Sequence, residues 1–462
     1  MARCGMPVRR MQISGNCGDV ALALNSRTST NVLELHQTAV RELKKGGRMK
    51  YIIWTVRLWY PAWMIPMGLE HFVHIFPQPG YFSTIPLQHE TLFAFLHSHL
   101  FDAVKAVELL TGIAVLFGLY TPLMLLVCMT VVFNVFWWDA PLSHYQPGAM
   151  IAGGKVLFSN IFLSVAFFGC YRAMFTLRPK PLPVGTDGTV KAAASPGMQQ
   201  LVLAGRIIFG IWMVLNGANY LFFDLWAMPT GHEPIAAELM GSFVHSGLMS
   251  VAMLIQMVTG AFILTGVFAP AALCVVMPTS VCALFWALLE HEPLSLLLAL
   301  AALALNGLLM LAYFGYYRDA LQQRVLTLGE SQGAPTFDSS YVFSHGRTSR
   351  RHFMAAVIPL TIAVLDYTHS GPGPYNSWMV LVLLYPAVVL YTRRLHDMGH
   401  SGWPLIVPAS LTVVAMAIWA HRLELGVQLD LAVPMVPLAA FIGFTVWGCI
   451  DKGKAEAAAA MA

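Results

Sequence analysis

Charge is the commodity this sequence is poorest in. Only 11% of its 462 residues are Asp, Glu, Lys or Arg, against about 25% in an ordinary soluble domain. A chain this poor in charge cannot cover a water-facing surface, which excludes a conventional soluble enzyme. The seven cysteines, at 4, 17, 128, 170, 274, 282 and 449, form no C-x-x-C pair, and five of them fall in or beside apolar stretches. Neither a disulfide framework nor a zinc site follows from that spacing, and they read as buried, inert thiols. There is no glycine-rich phosphate loop, dinucleotide fingerprint or nucleophile elbow. With no soluble domain to hold one, a complete dehydrogenase is not expected. Residues 1–48 are polar and lack the apolar core of a cleaved export signal.

What the sequence has instead is apolar surface: 57% hydrophobic residues, 12 Trp, 27 Phe and a mean hydropathy of +0.64. Lipid is the expected solvent and the expected partner, and nucleic acid is not one. Twelve runs have spanning length, near 51–75, 102–119, 122–138, 149–171, 203–224, 247–266, 269–288, 294–316, 353–368, 376–392, 403–421 and 431–450. Pro61 and Pro66 interrupt the first run, which neighbouring helices accommodate in a membrane. With the N-terminus in the cytoplasm, Lys44 to Lys50, Arg172, Arg178, Lys180, Lys191, Arg318, Arg324, Arg347, Arg350, Arg351, Arg393, Arg394, Lys452 and Lys454 all fall on the cytoplasmic side. The outer loops hold only Arg422. This asymmetry predicts an all-α multi-pass protein of a bacterial inner membrane with both termini cytoplasmic. The Lys45-Gly46-Gly47 run just before Met49 is encodable by a purine-rich ribosome-binding site, so Met49 is expected to be the start and 1–48 a polar extension upstream of it.

An internal repeat organises the middle of the chain. Residues 95–122 align without gaps on 243–270 at an offset of 148, pairing His97 with His245, Ser98 with Ser246, Thr111 with Thr259, Gly112 with Gly260 and Gly118 with Gly266. The flanks follow: Arg57, Trp63, Met64 and Gly68 match Arg206, Trp212, Met213 and Gly217. Two tandem four-helix units are expected, 51–178 and 203–326, joined by a linker at 179–202 and followed by a third four-helix module at 340–452. The two repeats are parallel, which disfavours the inverted architecture common in secondary transporters.

The first span of each unit, with Arg57 and Gly68 or Arg206 and Gly217 eleven residues apart, resembles the opening helix of DoxX-type membrane proteins. In that family a Lys follows three residues later; His71 and Tyr220 stand there in this sequence. The resemblance implies an integral membrane subunit of a redox system, as in the small subunit of thiosulfate:quinone oxidoreductase. The strings from His345 to Phe353 and from Arg393 to Trp403 resemble the two signatures of the bacterial inner-membrane domain of unknown function 805. That implies a four-helix membrane module and no activity.

Ionisable residues within a span are functional candidates by default. Glu70, His71 and His74 end the first span, His97, His99, Asp102, Lys105 and Glu108 open the second, and Lys155 lies early in the fourth. Glu108 should sit roughly 10–14 Å below the outer surface. Lys105 and Glu108 are three residues apart and share a helix face, so an ion pair or a Lys105–Glu108–Lys155 cluster would make their burial tolerable. The second repeat has Asn219, Tyr220, Met253, Gln256 and Ala301 at the matching positions. This one-sidedness points to a working site in the first unit. There Glu108 and a histidine, with Glu70, His71 and His97 as candidates, would exchange protons with a quinone-like headgroup, and Lys105 and Lys155 would hold an anionic state. A purely structural buried salt bridge competes with that expectation.

Haem or copper ligated by His71, His74, His97 or His99 is a less favoured alternative to an aqueous polar rim, since neither His spacing is specific. Glu290-His291-Glu292 reads as a solvated turn, and Asp397 as the cap of the helix that follows it. The function expected is a quinone-facing membrane subunit whose catalytic domain is a separate soluble or periplasmic chain. A permeation protein and a non-catalytic assembly or lipid-interaction scaffold are the alternatives.

Overall fold

The computed structural model describes residues 49–75, 84–183, 195–227, 230–331, 333–369, 374–421 and 432–453. All regular structure among them is helical. The first helix, α1, covers 49–73. There follow α2 (Pro86–His97), α3 (Leu100–Phe117), α4 (Thr121–Asp139), α5 (Pro147–Ala166) and the single-turn α6 (Phe168–Tyr171). The next set is α7 (Pro196–Ala218), α8 (Pro234–His245), α9 (Leu248–Thr265), α10 (Ala269–Glu290) and α11 (Pro293–Ala312). The short α12 (Phe337–Tyr341) leads into α13 (Arg350–His369), α14 (Pro374–Met398), α15 (Ile406–His421) and α16 (Ala432–Ile450).

Proline sets many of the starts. It occupies the first turn of α2, α4, α5, α7, α8, α10 and α11, where its missing N–H is no loss and its fixed φ suits the helix. The helices α3 and α9 stop at Gly118 and Gly266, with φ of 69° and 79°, a left-handed cap that only glycine adopts without strain.

Among the described residues, eight helical stretches are long and apolar enough to cross a membrane: α4, α5, α7 with its π-helical extension to Phe223, α9, α10, α11, most of α14, and Trp403–Ala420. The other four expected spans coincide with α1, α3, α13 and α16, and three of these are diluted by charge. Lys50, Arg57 and Glu70 lie on α1, Asp102, Lys105 and Glu108 on α3, and Arg350, Arg351 and Asp366 on α13. In α16 the apolar stretch is the shorter Val436–Ile450.

Matched bonds recur in the two repeats. Arg57 Nε donates to the Val115 carbonyl at 3.1 Å, and Arg206 Nε to that of Ile263 at 2.9 Å. The Tyr171 and Tyr317 hydroxyls donate to the Pro122 and Pro270 carbonyls at 2.7 and 2.8 Å. Trp138 and Trp286 ring nitrogens donate to the Gln88 and Ala236 carbonyls. Small residues set the helix crossings: a Cβ at Gly68 would lie 2.6 Å from the Leu109 nitrogen, and one at Gly217 would lie 2.5 Å from the Met253 carbonyl oxygen. Such close backbone approach is the usual device for packing helices where lipid removes the hydrophobic drive.

The short helices α2 and α8 pack against each other reciprocally. Glu90 of α2 meets His245 of α8 at 2.6 Å, and His97 of α2 meets Glu238 of α8 at 3.0 Å. Phe95 and Phe243 lie against each other with ring centroids 5.5 Å apart. Since 90, 95 and 97 correspond to 238, 243 and 245, the contact is self-complementary, as a two-fold interface requires.

The last helices dock on the first unit. Asp366 of α13 accepts from Trp59 Nε1 at 2.9 Å and from Lys155 Nζ at 3.0 Å, and the Tyr367 hydroxyl donates to the Trp59 carbonyl. At the other end Asp338 accepts from Arg57 and Arg324, while Glu330 accepts from Trp54 Nε1. Contrary to the expectation for Asp397, it lies in the last turn of α14 rather than capping the next helix, and it pairs with buried Arg394. The Arg394 guanidinium also donates to the carbonyls of Gly448, Thr348 and Asp451. Its position therefore answers to helix packing as well as to membrane topology.

Candidate functional site

A cavity of about 520 Å³ opens among α1 to α5. Trp63 and Met67 of α1 form one wall, and Gln88, Thr91, Leu92 and Phe95 of α2 another. Phe101, Val104, Lys105 and Glu108 come from α3, and Val131, Asn134, Trp137, Trp138 and Asp139 from α4. Ala149 and Ala152 of α5 and Leu248 of α9 complete it, so the second unit supplies a single apolar side chain.

Helical geometry places the two central charges. Lys105 and Glu108, one turn apart, project together, and Lys105 Nζ donates to Glu108 Oε2 at 2.8 Å. Both side chains are at most 10% exposed. The ammonium also lies 5.1 Å from the centroid of the Phe101 ring, a favourable arrangement for a cation.

Asp139 is the second acid of the cavity. It ends α4, and room for it is made by α5: a Cβ on Gly153 would lie 2.8 Å from Asp139 Oδ2. Among the described residues no hydrogen bond or ion pair engages its carboxylate. Asn134 spends its amide N–H on the Thr130 carbonyl at 3.0 Å, which leaves its side-chain oxygen as an acceptor.

The sequence-derived candidates divide. Lys105 and Glu108 line the cavity together. Lys155 does not join them: it points to Asp366, at 3.0 and 3.1 Å, and both partners are more than a third exposed. The expected Lys105–Glu108–Lys155 cluster is thus replaced by two separate pairs, because α13 packs beside α5 and offers Lys155 its own carboxylate. Glu70 is buried, and its Oε2 has no hydrogen-bond partner among the described residues. It is not part of the cavity wall, nor are His71 and His97. His71 Nε2 contacts Asp102 Oδ1 at 2.7 Å, and His99 Nδ1 contacts Asp102 Oδ2 at 3.0 Å. His97 is engaged by Glu238, and His74 lies just past the end of α1 with a φ of 52°. Among the described residues no three His, Cys, Asp or Glu side chains converge as a metal site, so His71, His74, His97 and His99 do not gather around one centre.

The expectation of a solvated turn at Glu290 is also corrected. Glu290 is buried at the end of α10 and receives the His232 backbone N–H at 2.8 Å and a ring nitrogen of the same residue at 2.6 Å. Those bonds close the loop that precedes α8.

Sequence reasoning assigned no site to Asp139, which reads as an outer-loop acid, to Trp137 and Trp138, which read as an interface belt, or to Asn134 and Gln88. The signal for two of them was present, since the offset of 148 pairs Asn134 with Cys282 and Asp139 with Ala287. The second unit therefore lacks every ionisable group of the cavity. Its Gln256, in the place of Glu108, is bonded instead by Asn216 Nδ2 at 2.9 Å. No family model matches this chain, and no curated protein or solved structure matches it either.

Proposed function

We propose that the chain is a quinone-facing membrane subunit of a redox system, with its working site in the cavity of the first unit and its catalytic partner on a separate chain. In this proposal the molecule spans a bacterial inner membrane twelve times as three four-helix units with both termini cytoplasmic. Residues 51–326 would form a DoxX-like tandem and 340–452 a module like the domain of unknown function 805.

The observation that carries the proposal is the composition of the cavity. Its about 520 Å³ falls within the range of small-molecule sites. Trp63, Phe95, Phe101 and Trp138 offer flat apolar walls to a planar ring, while Lys105 provides a charged donor and Glu108, Asp139 and Asn134 provide acceptors. An aromatic ring bearing oxygens at its edge fits that mixture. The chain's own part is to bind and orient the ring and to keep its oxygens beside groups that hold or accept protons.

The test is purification of the tagged full-length protein from its native membranes in mild detergent, with partners and solvent-extracted lipids identified by mass spectrometry. Co-purification of a quinone and of a dehydrogenase chain is expected. Recovery of the protein alone and without quinone would overturn the proposal in favour of a carrier or scaffold.

A further inference from the structure

We propose that Asp139 is the proton-linked discriminator of the cavity, whose protonation decides whether the oxidised or the reduced form of the headgroup is held. The inference rests on the headgroup reading above and deepens it. The cavity has one acid more than its bases can neutralise: Lys105 is paired with Glu108, and Asp139 is left without a partner among the described residues. Among the described residues, Lys105 on α3 is the one charge in the wall whose field reaches it, and that ammonium gives its hydrogen bond to Glu108. Gln88 and Thr91 on α2, Ser143 and Gln146 in the turn after α4, and Ala149, Ala152 and Gly153 on α5 are uncharged, and Lys105 and Glu108 on α3 face each other.

Its place at the end of α4 sets it in the cavity wall beside Ser143 and Gln146 of the following turn. The site is built for a carboxylate. Gly153 leaves space that any side chain would fill, and the second unit has Ala287 where Asp139 stands.

A carboxylate accepts hydrogen bonds only, whereas a carboxylic acid also donates one. The two carbonyls of a quinone accept only, so the quinone is complementary to protonated Asp139. The hydroxyls of a quinol donate, so the quinol is complementary to ionised Asp139. Above the pH at which Asp139 ionises, binding of the quinone takes one proton from water and forms an O–H bond on Asp139. Binding of the quinol takes none. No electron moves in either step.

The experiment is calorimetric titration of the detergent-solubilised full-length protein with decylubiquinone and with its quinol, across pH and in two buffers of different ionisation enthalpy. Affinity for decylubiquinone should fall about tenfold per pH unit above the transition, with one proton taken up, and affinity for the quinol should stay flat. Asp139→Asn should abolish the slope and the proton uptake. Asp139→Ala, which copies the second unit, serves as a second variant with the same expectation. A slope that is absent in the wild type, or that survives in either variant, would overturn the role of Asp139 and leave the headgroup reading intact. Failure of both forms to bind at any pH would overturn that reading and the role of Asp139 with it.

Discussion

Lys105→Met and Glu108→Gln, singly and together, form a cycle whose outcome the structure fixes. The two charges are 2.8 Å apart at their nearest atoms, with side chains 10% and 5% exposed. At a charge separation of about 3.5 Å and an effective dielectric of about 20, their attraction is about 5 kcal/mol. Either single substitution removes that attraction and leaves the other charge buried without a partner, so each should cost about 3–5 kcal/mol. The double substitution installs the residues that the second unit has at 253 and 256. That unit keeps the same helix crossing with Met and Gln in place. The double variant should therefore lose less than about 2 kcal/mol, giving a coupling energy of at least about 4 kcal/mol. In the second unit Gln256 is satisfied by Asn216, which corresponds to Met67, so adding Met67→Asn should recover part of the remaining loss. Unfolding of the purified variants in a fixed detergent, followed by thermal or denaturant titration, reads all of these. Additive single losses, with a double variant as unstable as their sum, would refute the reasoning, because the pair would then not be coupled.

Three further outcomes are expected. Burial holds the His352 imidazole down to about 4 from its ordinary 6.5, with Lys50 and Arg393 adding repulsion. The unfolded chain takes up a proton below pH 6.5 that the native state refuses, so stability should fall by about 3 kcal/mol between pH 6.5 and 4 and be unaffected above; His352→Gln should flatten that part of a stability–pH profile. Arg394→Gln leaves Asp397 unpaired and strips the bonds to Gly448 and Asp451, so a loss of about 3–5 kcal/mol is expected, visible as reduced folded yield on size-exclusion chromatography. Glu90→Gln and Glu238→Gln each remove one member of a half-exposed pair; each should cost no more than about 1 kcal/mol, and the two costs should agree, since the positions are equivalent. A large difference between them in the same unfolding assay would contradict the reciprocal contact.

Local features were the legible ones. The Lys105–Glu108 contact follows from two residues one helical turn apart, and the one-sidedness of the cavity's charge follows from the residues that the second unit has at the matching positions. Long-range partners were not legible. Lys155 meets Asp366 across 211 residues of chain, and His97 meets Glu238 across 141. No periodicity carries such a pairing. Asp139 was hidden because it ends an apolar run and so reads as the first residue of a polar loop, although it is the last residue of α4. The helices α2 and α8 were hidden for a different reason. At twelve residues each, with His and Glu directed at one another, they resemble polar connections until their partner is seen.

The meeting of α2 with α8 has an energetic meaning of its own. Two separate proteins joined by such a contact would have to offset the loss of translational and rotational freedom on association. Units held on one polypeptide meet at an effective concentration set by the tether, in the millimolar range for short connections. Half-exposed imidazole–carboxylate pairs then need only the small apolar cluster of Ala94, Phe95, Ala236, Leu239 and Phe243 beside them. The division of labour between the halves follows from the same arithmetic. The tether keeps the second half, which carries no ionisable group at the positions matching Lys105, Glu108 and Asp139, as the permanent neighbour against which α2, a wall of the cavity, is seated.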